Sequence, residues 1–204
     1  ALAIFPTKAL AHDQLRALTD LAVPGVLPAA YDGDCSPEER AWARRHANVV
    51  LTNPEMLHCA LLPHHARWAT FFMRLRYIVV DELHAFRGIF GTHVAHLLRR
   101  LRRIAAHYGA NPTLITCSAT IGAPAVLASG LWGAPVTAVT DDGSPRGERL
   151  IALWNPTAVE EADGWRGSAH RDTAALLTEL VQAGHRTIAF CRSRRGTEVV
   201  AADA

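Results

Sequence analysis

The 204 residues are half hydrophobic and carry a formal net charge of +2, enough chain to bury a core and to exceed one ordinary domain. No apolar run reaches the roughly 18 residues of a membrane helix, the amino end lacks the layout of a signal peptide, and Cys35, Cys59, Cys117 and Cys191 lie far apart, as reduced thiols of a cytoplasmic protein do. A disulfide scaffold and a helical membrane protein are thereby excluded, while a pI near 8.5 permits nucleic-acid binding without demonstrating it.

Ala1 to Phe5 reads as a buried strand, so the chain opens inside a sheet and looks like a segment of something larger. Pro6 stops the strand, and Leu10, Leu15, Leu18 and Leu21 set an apolar helical stripe behind Thr7. Lys8, the only lysine among 21 basic side chains, stands at that helix start. With Thr7 and the free amides of the first turn it makes a candidate anion site, the plainer alternative being an ordinary helix cap. Val26 to Ala30 is a second strand, followed by the turn Tyr31-Asp32-Gly33-Asp34. Ser36-Pro37-Glu38-Glu39 is a capping box with Pro at the first helical position, opening a helix through Arg45. Val49 to Leu51 is a third strand, ending in Thr52-Asn53-Pro54-Glu55, again a cap followed by Pro. His58, Cys59, His64 and His65 match no zinc spacing, and that arginine-rich stretch reads as surface helix.

Tyr77 to Val80 is four β-favouring residues without polar alternation, as in a parallel strand covered on both faces. Asp81 and Glu82 then fall at its carboxyl end, where open α/β sheets bind ligands. Adjacent carboxylates with no basic neighbour before Arg87 repel unless a cation or a proton-accepting task keeps them charged. The simplest such cation is Mg²⁺ carried by a nucleoside triphosphate; the alternative is a solvated acidic turn. Beyond the glycine-bearing loop Phe86 to Gly91, the residues Val94, Leu97, Leu98, Leu101, Ile104, Ala105 and Tyr108 form one helical face. Arg99, Arg100, Arg102 and Arg103 lie opposite and read as a solvated face before a nucleic-acid footprint. Thr113 to Cys117 is a strand ending in Ser118-Ala119-Thr120. A helix over 121–130 and a closing strand over Val136 to Val139 follow, then a Gly/Pro-rich joint over 141–147. Leu150 to Trp154 starts a new strand, an amphipathic helix covers about 169–183, and Thr187 to Cys191 is a strand that ends in Arg192-Ser193-Arg194-Arg195.

This alternation predicts a doubly wound α/β fold with a mostly parallel sheet and every polar motif at a strand's carboxyl end. The motifs also carry a resemblance. Phe5-Pro6-Thr7-Lys8-Ala9-Leu10-Ala11, Thr52-Asn53-Pro54-Glu55-Met56-Leu57, Asp81-Glu82-Leu83-His84, Ser118-Ala119-Thr120 and Phe190-Cys191-Arg192-Ser193-Arg194 resemble motifs Ia, Ib, II, III and IV of superfamily 2 DEAD/DEAH-box helicases. The run Phe86-Arg87-Gly88-Ile89-Phe90-Gly91-Thr92-His93-Val94-Ala95 is similar to the loop after the acidic box in the bacterial MrfA-type and fungal RecQ-like branch, which carries a carboxy-terminal zinc module. Phe86, Thr92 and Ala123 depart from that branch, where tyrosine, serine and asparagine are usual.

The resemblance implies an ATP-dependent helicase or translocase on a single nucleic-acid strand, DNA favoured over RNA, with a place in DNA repair. Asp81 would hold Mg²⁺, Glu82 would act on the water that attacks ATP, and His84 would sense the nucleotide. Ser118, Ala119 and Thr120 would couple hydrolysis to domain movement. Pro6, Thr7, Lys8 and Ala9, with Thr52, Asn53 and Pro54, would hold phosphates from a first RecA-like domain (1–140). Across a linker (141–149), Arg192, Ser193 and Arg194 would do so from the start of a second (150–204). The sequence contains no G-x-x-x-x-G-K-[ST] phosphate loop and no late arginine-finger motif, so the segment alone is expected to be inactive. Two other readings are a non-catalytic RecA-like nucleic-acid-binding scaffold and a metal-dependent hydrolase built on Asp81, Glu82 and the histidines.

Overall fold

The computed structural model describes residues 1–119, 121–141, 143–145, 147–154 and 168–204. Thr120 of the expected Ser-Ala-Thr box lies outside the described residues, as do Asp142 and Arg146 of the expected joint. The chain divides into two compact units, Ala1–Asp142 and Gly143–Ala204.

In the first unit the opening strand β1 (Leu2–Ile4) is central, because it is apolar on both faces. Leu2 and Ile4 belong to one buried cluster, Ala3 and Phe5 to the other. Helix α1 (Lys8–Asp20), capped by Thr7, covers the Ala3 side through Leu10, Ala11, Leu15 and Leu18. The chain then makes β2 (Pro28–Ala30), α2 (Pro37–His46) and β3 (Val49–Thr52). The capping box at Ser36 and Glu39 forms as its sequence dictates, each side chain bonding the other's backbone N–H. Further on come β4 (Tyr77–Val80) and β5 (Thr113–Thr116), and the five strands, all parallel, stand in the order β2-β3-β1-β4-β5.

That order forces the chain to cross β1 between β3 and β4. The crossing runs through α3 (Pro54–Met56), a π-turn, a 3₁₀ turn and α4 (Ala69–Met73). Read from sequence as surface, it instead buries Leu57, Leu61, Leu62, Trp68 and Phe72 in the main core. The polar heads that suggested a surface, His58 and His64 among them, are its exposed side.

Helix α5 (Gly88–His107) packs Val94, Leu97, Leu98 and Leu101 into the same core. Its first turn closes tightly on the loop before it: a Cβ at Gly91 would run into the Phe86 carbonyl, which is why glycine stands there. Helix α6 (Pro124–Trp132) lies against α5. Here the arginine face departs from the solvated reading. Arg99 donates to the Gly130 carbonyl, and Arg102 donates to the Trp132 carbonyl while stacking 4.8 Å from the indole centre. Two cations thus sit on the orphan carbonyls at the end of α6, where the helix dipole is negative.

Three expected strands do not form among the described residues. Val136 to Val139 has no ladder; Val136 N–H goes to the Ser129 hydroxyl instead. In the second unit α7 (Ala169–Gln182) and α8 (Arg194–Asp203) pack on each other through Ala174 and Val200. Leu150 to Trp154 and Thr187 to Cys191 carry no ladder partner, with Leu153 96% and Phe190 87% exposed. β propensity makes a strand only where a neighbouring strand supplies the other half of each hydrogen bond.

Candidate functional site

The carboxyl ends of four strands are stitched into one row. Phe5 N–H donates to Thr52 O, Asp81 N–H to Ile4 O, and Cys117 N–H to Val80 O, at 2.9 to 3.0 Å. Leu83 N–H then reaches back to Cys117 O at 2.9 Å, tying the turn after β4 to the end of β5. Among the described residues, the motifs that sequence placed at the ends of these four strands therefore start from this edge.

At its centre Glu82 adopts the left-handed conformation, φ 51° and ψ 46°, a strained backbone costing on the order of 1–3 kcal/mol for a non-glycine residue. Asp81 Oδ1 holds the strain in place by accepting from Glu82 N–H at 2.8 Å. The turn aims Glu82 at His84: Oε2 lies 3.2 Å from Nδ1, and the same Nδ1 lies 3.2 Å from Ser118 Oγ. The two contacts differ in kind: Nδ1 and Ser118 Oγ are hydrogen-bonded, with donor and acceptor set by the imidazole tautomer, whereas the Glu82 carboxylate stands at ion-pair distance from the same nitrogen. Cys117 lies beside this group; burial first, and then the charge of Asp81, push its thiol above the ordinary value.

Farther along the edge the nucleic-acid candidates are placed unevenly. Thr7 caps α1, and Lys8 Nζ is not free but pairs with Asp34 at 2.8 Å; the Asp34 carboxylate is the first cause of its raised pKa. Pro6 is half-buried and Ala9 exposed beside them. Thr52 is buried with its hydroxyl donated to Tyr31 O, and Asn53 spends its side-chain oxygen on Met56 N–H, with Pro54 buried behind it. Arg192, Ser193 and Arg194 stand in the second unit at the start of α8, where Ser193 caps Gly196 N–H and both arginines are exposed. Ala119 is exposed beside Ser118, lining with Leu83 and Thr116 a cleft of about 600 Å³ along β5.

The DEAD/DEAH box helicase family pattern matches residues 1–127. The chain belongs to the DEAD/DEAH box helicase family. It is 43% identical over 98% of its length to the uncharacterized ATP-dependent helicase YprA of Bacillus subtilis, and 42% identical over 97% to the ATP-dependent helicase HRQ1 of Saccharomyces cerevisiae. A crystal structure of the DUF1998 helicase MrfA bound to DNA superimposes with a TM-score of 0.94 at 42% identity over 99% of the chain. A second, of MrfA bound to DNA and AMPPNP, gives 0.91 over 98%. The chain spans 27% of YprA, 19% of HRQ1 and 27% of the first MrfA chain. The five parallel strands with helices on both faces are the RecA-like fold of this helicase family.

Against that DEAD/DEAH frame one group escaped the sequence reading. Asp32, 1% exposed, accepts from Asp34 N–H at 2.8 Å and from the Cys35 thiol, and meets His12 Nε2 at 2.7 Å. Burial pushes its carboxyl up, but the Asp34 amide, His12 and Cys35 together draw it below the ordinary value. The Tyr31-Asp32-Gly33-Asp34 turn announced itself only as a turn; its partner His12 lies 20 residues away. Among the described residues no group of three or more His, Cys, Asp or Glu side chains is gathered closely enough to hold a metal ion, and no helix is long and apolar enough to cross a membrane.

Proposed function

We propose that this chain is the motor segment of an ATP-dependent helicase that tracks along single-stranded nucleic acid, DNA in preference to RNA. The observation that carries this reading is the placement of His84 Nδ1 3.2 Å from both Glu82 Oε2 and Ser118 Oγ, which joins the acidic box to the end of the neighbouring strand. Residues 1–140 serve as the first RecA-like domain and 150–204 as the start of the second, joined by 141–149.

The donor set fits a nucleotide-borne Mg²⁺. Asp81 spends one carboxylate oxygen on Glu82 N–H, and its other has no partner among the described residues. When bound, Mg²⁺ neutralises charge on the β- and γ-phosphates. Asp81 holds that hydrated cation. Glu82 orients, and takes a proton from, the water that attacks the γ-phosphate. As Glu82 turns to that water it moves away from His84, which stays hydrogen-bonded to Ser118; His84 reports the event to β5 and, with Ser118, Ala119 and Thr120, to the second domain.

Lys8 exchanges the Asp34 carboxylate for a backbone phosphate, and Pro6, Thr7 and Ala9 border that contact. The Thr52 hydroxyl is committed to Tyr31 O and the Asn53 oxygen to Met56 N–H, so the Thr52-Asn53-Pro54 turn offers a phosphate the Asn53 amide N–H groups and its shape, while Arg192, Ser193 and Arg194 hold phosphates from the second domain. Such contacts follow the strand's backbone and read no sequence. MrfA, at 42% identity, was crystallised with DNA, which supports DNA as the track.

The deciding experiment is Glu82→Gln in the full-length protein. DNA-stimulated ATP turnover falls by more than a hundred-fold, on the order of an enzyme losing its general base, while ATP affinity stays within a few-fold. Turnover close to wild type overturns the assignment.

A further inference from the structure

One groove on the first unit is, apart from Pro54 at its border, used by none of these roles. It lies between the start of the crossing after β3 and the outer face of α5, holds about 370 Å³, and is lined by Pro54, Glu55, His58, Phe90, Val94 and Arg100 with His93, His96 and Leu97. On α5 the spacing 90, 93, 94, 97, 100 puts these residues on one helical stripe; on the crossing, 54, 55 and 58 span one turn. Pro54 continues directly from the Thr52-Asn53 turn, so the groove opens onto the edge assigned to the nucleic-acid backbone.

Phe90 is the feature that demands explanation. A half-exposed phenyl ring, 47% accessible, forgoes burial. It is nevertheless held still: the fully buried Phe86 ring supports it from below, with centres 5.7 Å apart and planes tilted by 39°. The floor of the groove is apolar, with Pro54, Val94 and Leu97 beside this ring, and polar side chains stand at its rim. His93 and His96 are exposed, and Arg100 points an N–H at His58 Nδ1 over 3.4 Å, which leaves His58 presenting Nε2–H. Glu55 is the one anionic group and can accept from an exocyclic amine.

We propose that this groove is a nucleotide subsite: Phe90 stacks one base of the bound strand while Arg100 and the histidines contact its phosphate and sugar. The inference rests on the single-strand reading above. A supported aromatic face with a cationic, hydrogen-bonding rim is the chemistry of single-strand binding. The volume, near the small end of ligand clefts at about 300–1,000 Å³, suits one nucleotide and not a protein helix.

The test titrates the full-length protein, wild type, Phe90→Ala and Phe90→Tyr, with a short oligothymidylate and with an abasic backbone of equal length. Phe90→Ala weakens oligothymidylate binding by about 5- to 100-fold, the span of one base–aromatic stack. Abasic binding, which also controls for folding, changes less than about two-fold and keeps its salt slope, and Phe90→Tyr behaves as wild type. If Phe90→Ala leaves both ligands unchanged or weakens them equally, the groove is not a base site, and a peptide or structural role takes its place. Wild-type protein that binds neither ligand overturns the single-strand reading along with it.

Discussion

His84 Nδ1 and Ser118 Oγ stand 3.2 Å apart across 34 residues of sequence, and Glu82 Oε2 reaches the same nitrogen at 3.2 Å. His84 thus ties the acidic turn to the end of β5 by one hydrogen bond and one close carboxylate, a packed connection of the kind through which coupling between sites travels. Ser118→Ala removes the hydrogen bond to His84 without touching Glu82. In the full-length protein, ATP turnover stays within a few-fold while strand separation per ATP falls by about ten-fold or more. Parallel gel-based unwinding and phosphate-release assays check this, and a proportionate loss of both activities would remove Ser118 from the coupling role.

Lys8 stands at the start of α1, where the sequence put it, but not as a free cation. Its ammonium is paired with Asp34 at 2.8 Å, so a phosphate must displace a carboxylate before it gains a cation. Lys8→Ala is expected to lower single-strand affinity about equally for all sequences and to reduce the salt slope by about one unit or less. Asp34→Ala, which frees the lysine, is expected to raise affinity and leave the slope no smaller. Titrations at several salt concentrations decide it; an Asp34 variant that binds more weakly would show that the pair supports the site rather than competing with it.

Legibility followed the range of the forces involved. Caps are local, and Thr7, Ser36 with Glu39, and Asn53 all form where the sequence put them. The apolar runs of β1, β3, β4 and β5 needed only neighbours of the same kind, and the pleat sorted Leu2 and Ile4 from Ala3 and Phe5. The crossing over β1 was misread because its exposed histidines drew attention from the buried Leu57, Leu61, Trp68 and Phe72. Arg99 and Arg102 found α6 carbonyls that no spacing within α5 announces. The pairing of His12 with Asp32, and of His84 with Glu82 and Ser118, depends on which loops the strand order brings together.

Asp32 gives the fold a dependence on acid. Its folded pKa is depressed, so its contribution is complete above the unfolded value of about 3.9 and is lost as the pH falls through the lower folded value. At neutral pH, Asp32→Asn leaves the Asp34 amide, His12 and Cys35 with a poorer acceptor in a buried site, costing about 1–3 kcal/mol. Below about pH 4 the gap between variant and wild type narrows, because wild-type Asp32 is itself becoming protonated. Urea midpoints measured at pH 7 and at successively lower pH test this; a gap that is constant with pH would mean that the charge of Asp32 contributes nothing.

The last expectation concerns a polypeptide restricted to these 204 residues. Phosphoryl transfer depends on holding the γ-phosphate among a phosphate loop, a divalent cation and an arginine. The lysine that would close a G-x-x-x-x-G-K-[ST] loop is missing: the one lysine, Lys8, follows Thr7 and not glycine. Glu82 then has an oriented carboxylate and no phosphate placed before it. The same polypeptide exposes apolar surface: β5 pairs only with β4 among the described residues and leaves Ile115 42% accessible, and the second unit presents Leu150, Ile151, Leu153 and Phe190. Patches of that kind drive association. Produced alone, it is therefore expected to give no DNA-stimulated ATP hydrolysis and to run in light scattering at more than its 22.1 kDa monomer mass. A monodisperse monomer would show that those side chains find cover within the segment, and stimulated hydrolysis would show that the γ-phosphate is held by residues other than a phosphate loop, which would reopen the roles given to Asp81 and Glu82.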